Sequence, residues 1–208
     1  MNLKRRRVLA SALALVVFPL RFDGALAAKR VEYDDAIIQV ESYLNSIKTL
    51  SARFLQVDSD GNVTNGQLYL RRPGRLRFEY DDPSPLLIVA DGIWLILHDR
   101  ELGQVSRYPL YGAPLGALVD EPANLREKVE VVRVEQGLGG LRIMVVDRAN
   151  PDEGWIDITF TEPPLLLRQW KVRDAQGGTI ELSLTDIRVN QKLDPNLFFF
   201  EDPPAFKE

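Results

Sequence analysis

The sequence contains no cysteine and only one histidine, His98. Without cysteine the chain cannot form a disulfide, use a thiol nucleophile or bind zinc or an iron–sulfur cluster through thiolates. A single histidine also excludes every metal site that needs two or more imidazole ligands. Much of enzyme chemistry is thereby excluded before any motif is considered. We expect neither a metal centre nor another cofactor.

Acidic residues outnumber basic ones in all but the first part of the chain. The formal net charge is -4, with 26 basic and 30 acidic residues among 208. Residues 1–27 hold five of the basic residues and one acidic residue, so residues 28–208 hold 21 and 29, a net charge of -8. A body with this acidic excess is poorly suited to neutralising the phosphates of a nucleic acid or to adhering to anionic lipid by charge. No nucleic-acid partner is expected.

The N-terminal segment has the three parts of an export signal. Lys4–Arg7 is basic, Val8–Leu20 is apolar apart from Ser11 and Pro19, and Ala25–Ala27 offers a small-x-small cleavage site. We predict a signal peptide over 1–27, removed on export to the periplasm. The arginines also fit a loose twin-arginine pattern, so the export route is either Sec or twin-arginine.

An N-terminal anchor helix is the alternative interpretation of the same segment. Its apolar stretch of thirteen residues is shorter than the roughly 20 residues that a membrane-spanning helix needs, which favours the signal peptide. No cysteine follows the stretch, so the chain cannot be lipidated there. The mature protein, residues 28–208, is predicted to be one domain.

Hydrophobic periodicity predicts one helix and then strands. Apolar residues recur at spacings of three and four between Ala36 and Ile47, which indicates an amphipathic helix. After Ser51 apolar residues mostly alternate with polar ones, and turn residues separate the runs. A change of phase near Asp186 predicts a β-bulge in the last strand. The expected fold is mainly β (α+β): a strongly curved antiparallel sheet or unclosed β-barrel of about eleven strands, with an N-terminal helix and short lid helices.

Two segments do not fit a simple meander. The strands Leu86–Ala90 and Ile93–Leu97 are apolar on both faces, so both faces need cover. The segment Tyr108–Val129 contains three prolines, two glycines and short helical candidates at Leu115–Val119 and Asn124–Lys128. Together these features suggest an apolar cavity closed by a lid, because long insertions often have functional roles. A filled core with an ordinary packed insertion is the open alternative.

The signals for catalysis are weak. His98 lies at the end of an apolar strand beside Asp99, and Ser84 and Ser106 are near in sequence. No Gly-x-Ser-x-Gly motif accompanies them, and the paired carboxylates of the chain lie at predicted turns and helix ends. We do not expect an enzyme. A hydrolase that uses His98 is kept as an alternative.

Several motifs, in order along the chain, carry a family resemblance. They are Phe54-Leu55-Gln56, the run Gly66–Tyr80, the run Ile88–Trp94 and the terminal Asp194–Phe200. The series resembles the outer-membrane lipoprotein carrier family, LolA, over most of residues 32–203. The chain stops soon after Pro204, so the resemblance implies that the additional terminal loop and strand of some members are missing or shortened here.

The resemblance implies a periplasmic carrier without catalytic activity, acting as a monomer. Such carriers have an unclosed β-barrel with an apolar hollow under short helices. They take acylated lipoproteins from an inner-membrane lipoprotein-releasing ABC transporter complex and carry them to an outer-membrane lipoprotein acceptor. The acceptor LolB has the same fold but is itself a lipoprotein, so the absence of cysteine favours the soluble carrier. A periplasmic module that senses lipids or lipoproteins on the same scaffold is the alternative function.

The resemblance also implies roles for individual residues. Arg72 matches the arginine that ties the closed lid to the barrel, the alternative being an ordinary charge at a strand end. An acyl-chain-binding surface is expected on the concave face of the sheet, from Leu76, Phe78 and Tyr80, which share strand parity, and from some of Leu86, Ile88, Trp94 and Ile96. The lid candidates are Leu115, Leu118 and Val119.

Overall fold

The computed structural model describes residues 23–110 and 119–203. Within them a long helix, α1 (Asp23–Ser46), is followed by strands and three short helices. The strands are β1 (Thr49–Asp58), β2 (Val63–Arg71), β3 (Arg75–Tyr80), β4 (Leu86–Asp91), β5 (Trp94–Asp99), β6 (Gln104–Pro109), β7 (Val129–Gly137), β8 (Gly140–Asp147), β9 (Gly154–Thr161), β10 (Leu166–Asp174) and β11 (Thr179–Val189). The short helices are α2 (Leu125–Lys128) and 3₁₀ turns at Pro151–Glu153 and Pro195–Phe198.

The eleven strands form one antiparallel sheet, in the order β6-β5-β4-β3-β2-β1-β11-β10-β9-β8-β7. Each neighbour in the order is also a neighbour along the chain, except that β1 pairs with β11. Strands β6 and β7 do not pair with each other in the part of the chain that the structure describes, so the barrel is unclosed. The predicted fold class is confirmed.

Side-chain contacts across the sheet demonstrate its curvature. The rings of Phe78 in β3 and Trp170 in β10 have centroids 6.4 Å apart. Four strand spacings separate β3 from β10, which would be about 19 Å in a flat sheet. The sheet therefore bends round so that one face, the concave face, encloses the core, and the opposite face is the outer face.

Local chemistry accounts for the strand ends and for one irregularity. At the β1–β2 turn the Asp58 carboxylate accepts hydrogen bonds from the backbone N–H groups of Asp60 and Asn62, each at 2.9 Å. The pairing of β1 with β11 shifts register between Ser51 and Arg53, opposite Asp186, whose φ is +51°. The bulge predicted near Asp186 is confirmed.

Helix α1 lies against the concave face. Its apolar stripe is buried, as the periodicity predicts: Ala36, Ile37, Val40 and Leu44, continued by Ile47 after the helix end. The Tyr43 ring packs edge-on against Phe160, with centroids 5.7 Å apart, and its hydroxyl accepts a hydrogen bond from the backbone N–H of Leu167 at 3.0 Å.

The helix begins earlier than the periodicity indicates and includes residues 25–27, where cleavage is predicted. The signal peptide remains a prediction. Among the helices that the structure describes, none combines the length and the apolar character needed to cross a bilayer.

The outer face of β3 and β4 is covered by the C-terminal segment. The 3₁₀ turn Pro195–Phe198 lies against these two strands, and Phe198 is buried beside the outer-facing Leu87 and Val89. Arg77 Nη1 donates a hydrogen bond to the Leu197 carbonyl oxygen at 3.3 Å. This cover explains why β4 is apolar on both faces, since each face is buried against a different element.

Candidate functional site

The concave face of the sheet and α1 enclose a small apolar cavity. Leu76 is 2% exposed and contributes to its wall, as does Arg72 at the end of the neighbouring hairpin. The cavity has a volume of about 40 Å³. Its lining residues are Leu44, Ile47, Leu50, Leu68, Leu70, Arg72, Leu76, Val119, Leu167 and Trp170.

The size of this cavity decides what the described conformation can hold. A volume of about 40 Å³ lies far below the roughly 300–1,000 Å³ of ligand pockets. An acyl chain could enter only if the elements that cover the concave face moved away from it. Two interpretations of the strands that are apolar on both faces were open, a cavity closed by a lid and a filled core. The described conformation matches the filled core.

Aromatic rings fill the centre of the concave face. Phe54 contacts Phe78 and Tyr80 edge-on, with centroid distances of 5.4 and 5.0 Å. Phe54 has room for these contacts because Gly66 stands opposite it in β2, where a Cβ atom would lie 2.5 Å from the Phe54 ring. The glycine at the start of the Gly66–Tyr80 run thus makes space for the phenylalanine of the Phe-x-Gln motif.

One end of this concave surface is polar. The Tyr80 hydroxyl donates a hydrogen bond to Gln56 Oε1 at 2.7 Å, and Thr64 pairs directly with Gln56 across β1 and β2. Burial raises the pKa of Tyr80 to about 12, against the smaller opposing effect of the bond to Gln56. The Thr64 hydroxyl is buried and has no hydrogen-bond partner among the described residues.

At the opposite end, the strands hold a short stretch that we term the capping segment (residues 119–123). The Arg72 side chain is 7% exposed, and its Nη1 donates a hydrogen bond to the backbone carbonyl oxygen of Asp120. The backbone N–H of Gly74 donates to the carbonyl oxygen of Val119 at 2.9 Å. Desolvation lowers the pKa of the Arg72 guanidinium, which the nearby Glu121 carboxylate partly offsets.

Helix α1 holds the same segment from its other side. Asn45 Oδ1 accepts a hydrogen bond from the backbone N–H of Ala123 at 2.8 Å, and Asn45 Nδ2 donates to the Ala123 carbonyl oxygen at 3.3 Å. Lys48, just beyond the helix, forms an ion pair with Glu121. The capping segment is therefore bound to both the sheet and the helix, mainly through its backbone.

This arrangement of a curved sheet, an apolar interior and a held segment accompanies a family match. The family model for the outer membrane lipoprotein carrier protein LolA matches residues 45–201 of the chain. The chain belongs to the LolA family. The matched range includes every described strand, the capping segment and the C-terminal 3₁₀ turn.

Individual relatives agree with the family assignment. An outer-membrane lipoprotein carrier protein of Pseudomonas aeruginosa is 30% identical over 197 residues, which cover 87% of this chain and 91% of that protein. A protein of the same name from Cupriavidus pinatubonensis is 29% identical over 211 residues, 96% of each chain. The crystal structure of a DUF1329 family protein from Desulfovibrio piger has the same fold, with a TM-score of 0.50, 11% identity and coverage of 82% of this chain and 96% of that one.

Seven residues were expected on the concave face because of the family resemblance, and five of them lie there. Leu76, Phe78 and Tyr80 are buried in the core on one face of β3. Leu86 and Ile88 are partly buried and pack against that core. These five residues lie on the concave face, and Leu76 among them lines the cavity; their binding of an acyl chain stays a prediction.

Trp94 and Ile96 are different, and their expected place on the concave face is wrong. The register pairs Val89 with Ile96 and Arg77 with Val89, so Ile96 shares the outer face with Arg77. Trp94 has the same parity as Ile96 and is 42% exposed. Because β5 is apolar on both faces, composition could not distinguish its two faces. The concave positions of β5 are occupied by Leu95 and Leu97.

Of the three lid candidates, only Val119 lies within the described residues. Its side chain is 1% exposed and lines the cavity, and its carbonyl oxygen accepts the hydrogen bond from Gly74. Leu115 and Leu118 lie outside the described residues. The second predicted short helix, Asn124–Lys128, is present as α2, with Asn124 at its N-cap position.

The geometry does not support a hydrolase centred on His98. The His98 ring packs edge-on against Phe200, at 5.5 Å between centroids, on the outer face. Ser106 pairs with Leu97 on the concave face, so the sheet separates it from His98. The Asp99 carboxylate accepts hydrogen bonds from two N–H groups of its own turn, including that of Leu102 at 2.9 Å. Among the described residues, no cluster of three or more acidic, histidine or cysteine side chains could hold a metal ion.

Sequence reasoning missed the contribution of the first strand and of the later strands to the site. Trp170 in β10 and Leu167 near its start line the cavity beside Leu76. Phe54 contacts two of the predicted concave residues. Alternation in β10 assigns Trp170 to one face of its strand, but only the curvature of the sheet brings that face against β3.

Proposed function

We propose that this protein is a periplasmic carrier that binds the acyl chains of lipoproteins released from the inner membrane and delivers them to the outer membrane. One observation carries the proposal: an apolar interior lies beneath a capping segment that the buried Arg72 holds through a backbone carbonyl group. Membership of the LolA family supports the same role.

The task explains the need for an enclosed apolar surface. Each methylene group of an acyl chain that is exposed to water costs about 0.8 kcal/mol, so free chains cannot cross an aqueous compartment. The concave face offers aliphatic and aromatic side chains from both halves of the sheet, including Leu76 and Trp170. In the empty carrier these side chains contact each other and α1, which keeps the apolar surface out of water.

The task also requires release, and the contacts of the capping segment suit that requirement. They are a few hydrogen bonds and one partly exposed ion pair, including the bonds from Arg72 and Asn45. Each such bond contributes about 0.5–3 kcal/mol net. A small set of them can be broken and remade without unfolding the sheet. We propose that Arg72 stabilises the closed form in this cycle.

The proposed partners follow from the two ends of the route. An inner-membrane lipoprotein-releasing ABC transporter complex would supply the acylated lipoprotein, and an outer-membrane acceptor, where one exists, would receive it. The carrier itself would be exported by its N-terminal segment and would act as a monomer. Its acidic body, with a net charge of -8 over residues 28–208, would be repelled by anionic lipid surfaces.

Co-purification tests this function. Exported protein is added to spheroplasts that synthesise triacylated lipoproteins, and the soluble fraction is examined by size exclusion and mass spectrometry. We expect a water-soluble complex with one lipoprotein per carrier. Recovery of phospholipid alone in place of lipoprotein would instead favour the lipid-sensing alternative.

A pair of substitutions locates the binding surface in the same experiment. Leu76→Glu places a carboxylate on the concave face, where Leu76 is 2% exposed. Leu55→Glu makes the same change on the outer face of β1, where Leu55 is 43% exposed. We expect complex formation to be lost in the first variant and retained in the second. Unchanged lipoprotein binding by a folded Leu76→Glu variant would contradict the concave-face assignment.

A further inference from the structure

The Thr64 hydroxyl is a polar group on the concave face for which the described residues offer no hydrogen-bond partner. Its oxygen, Oγ1, is buried. A buried hydroxyl without a partner costs about 1–3 kcal/mol relative to one that is hydrogen-bonded or replaced by a methyl group. Valine has nearly the same shape as threonine and would fill the position without that cost, so folding alone does not account for the hydroxyl.

The register places this hydroxyl on the concave face. Thr64 pairs with Gln56, and the next pairs on the same face are Phe54 with Gly66 and Ala52 with Leu68. Ala52, Phe54 and Leu68 are all core residues, each no more than 2% exposed. Thr64 therefore faces the same hollow as the aromatic rings.

Two further polar groups lie on the same face at this end of the strands. Gln56 lies directly across the β1–β2 pair, and its Oε1 accepts the hydrogen bond from the Tyr80 hydroxyl at 2.7 Å. That bond uses the only carbonyl oxygen of the Gln56 side chain and orients its amide nitrogen as a donor. Thr64 and Gln56 thus bring an O–H and an N–H donor to one end of an otherwise apolar surface.

We propose that Thr64 and Gln56 bind the carbonyl group at the head of an acyl chain, an ester or amide carbonyl, when the hollow is occupied. This inference rests on the proposed carrier function and adds the part of the ligand that is recognised. An acyl chain is apolar except at this carbonyl, which accepts hydrogen bonds but cannot donate one. Two donors at the edge of an apolar surface match that pattern.

The arrangement also fixes the orientation of the ligand. Thr64 and Tyr80 lie at the opposite end of the strands from Arg72, since β2 runs from Val63 to Arg71. With its carbonyl group at Thr64, a chain would extend along the concave face past Phe54 towards Leu76 and the capping segment. The two ends of the hollow would then have different roles, one holding the head of the chain and the other closing over its tail.

A comparison of two probes tests the inference. The probes are the methyl ester of a long-chain fatty acid and the alkane of the same chain length, and binding is measured by displacement of an apolar fluorophore. Thr64→Val removes the hydroxyl and keeps the shape, while Thr64→Ser keeps the hydroxyl. We expect Thr64→Val to weaken ester binding by about threefold to tenfold, as the loss of one net hydrogen bond requires, and to leave alkane binding unchanged.

Stability supplies an independent measurement on the same variants. Because Thr64→Val removes an unsatisfied hydroxyl, we expect the empty variant to melt at a higher temperature than the original protein. Thr64→Ser should retain the preference for the ester. Equal ester binding by the original protein and by Thr64→Val would overturn the inference, as would an equal loss for both probes. Failure of the original protein to bind either probe would instead count against the carrier function itself.

Discussion

Arg72 donates a hydrogen bond from its guanidinium Nη1 to the backbone carbonyl oxygen of Asp120, and so joins the end of the β2–β3 hairpin to the capping segment. A guanidinium carries five donors in a rigid fork and remains charged at any ordinary pH. Because the acceptor is a backbone carbonyl, the contact depends on where the capping segment lies and not on its side chains.

Substitution of Arg72 should therefore favour the open form. A hydrogen bond from a charged donor contributes about 1.5–3 kcal/mol, so Arg72→Leu should move the equilibrium between closed and open forms by about tenfold to a hundredfold. We expect stronger fluorescence of a dye that binds exposed apolar surface. The side chain of the neighbouring Arg71 makes no hydrogen bond or ion pair within the described residues, so Arg71→Leu is the matched control. Equal dye binding by the two variants would be the contrary result.

Gly66 is expected to be intolerant of any side chain. A Cβ atom there would lie 2.2 Å from the Glu79 carbonyl oxygen and 2.5 Å from the Phe54 ring. Neither neighbour can move without disturbing the sheet, so Gly66→Ala should reduce the free energy of unfolding by about 2–3 kcal/mol. At Gly137, in edge strand β7, a Cβ atom would meet nothing within 4 Å, so Gly137→Ala should be nearly neutral. Denaturant unfolding of both variants checks the difference.

Tyr80 should make stability depend on alkaline pH. Burial raises its pKa to about 12, so the folded protein keeps the phenolic proton to a higher pH than the unfolded chain does. This contribution to stability is complete below about pH 10, the pKa of an unperturbed tyrosine, and is lost as the pH rises to about 12. Tyr80→Phe should flatten that part of the pH profile of thermal unfolding. A phenolate absorbance step of Tyr80 near pH 10 in the folded protein would contradict the assignment.

A buried carboxylate on the outer face should support the second half of the sheet. Asp157 is 2% exposed, accepts two hydrogen bonds from Arg142 at 2.7 and 2.8 Å, and accepts one from Arg133 at 3.3 Å. The hydrogen bond with Asp157 raises the pKa of Arg142. Asp157→Asn should cost about 1–3 kcal/mol, below the usual cost of breaking a buried pair because both arginines can be rehydrated.

Glu135 offers the matched comparison for Asp157. It pairs with the same two arginines at 3.5 and 3.8 Å, but its side chain is 51% exposed. Surface ion pairs of this kind contribute about 0–1 kcal/mol, so Glu135→Gln should have a small effect on thermal unfolding. Equal destabilisation by the two substitutions would refute a special role for the buried carboxylate.

The sequence allowed most of the fold to be predicted, because alternation and turn residues mark each strand. The bulge at Asp186 could be located because a bulge changes the phase of an apolar pattern. The start of α1 could not be located in this way, since residues before Ala36 lack the repeating apolar stripe.

The candidate site was less accessible to sequence reasoning, for reasons of geometry. Strand parity identified Leu76, Phe78 and Tyr80 correctly as one face, but it could not separate Ile96 from Leu95 in a strand covered on both sides. The cover on the outer side of β5 includes Phe200, which packs against His98 although it lies about a hundred residues away along the chain. Contacts between distant strands, such as Phe78 with Trp170, depend on curvature and have no local signal.

The pairing of β1 with β11 has a consequence for the order in which the protein folds. Strands β1 to β6 and β7 to β11 are two meanders of local hairpins, but the seam between them joins Leu50 near the start of the sheet to Val189 near its end. Local contacts form faster than distant ones. During synthesis the seam cannot close until β11 has been made. The two halves of the sheet should therefore remain unjoined until the last strand is available.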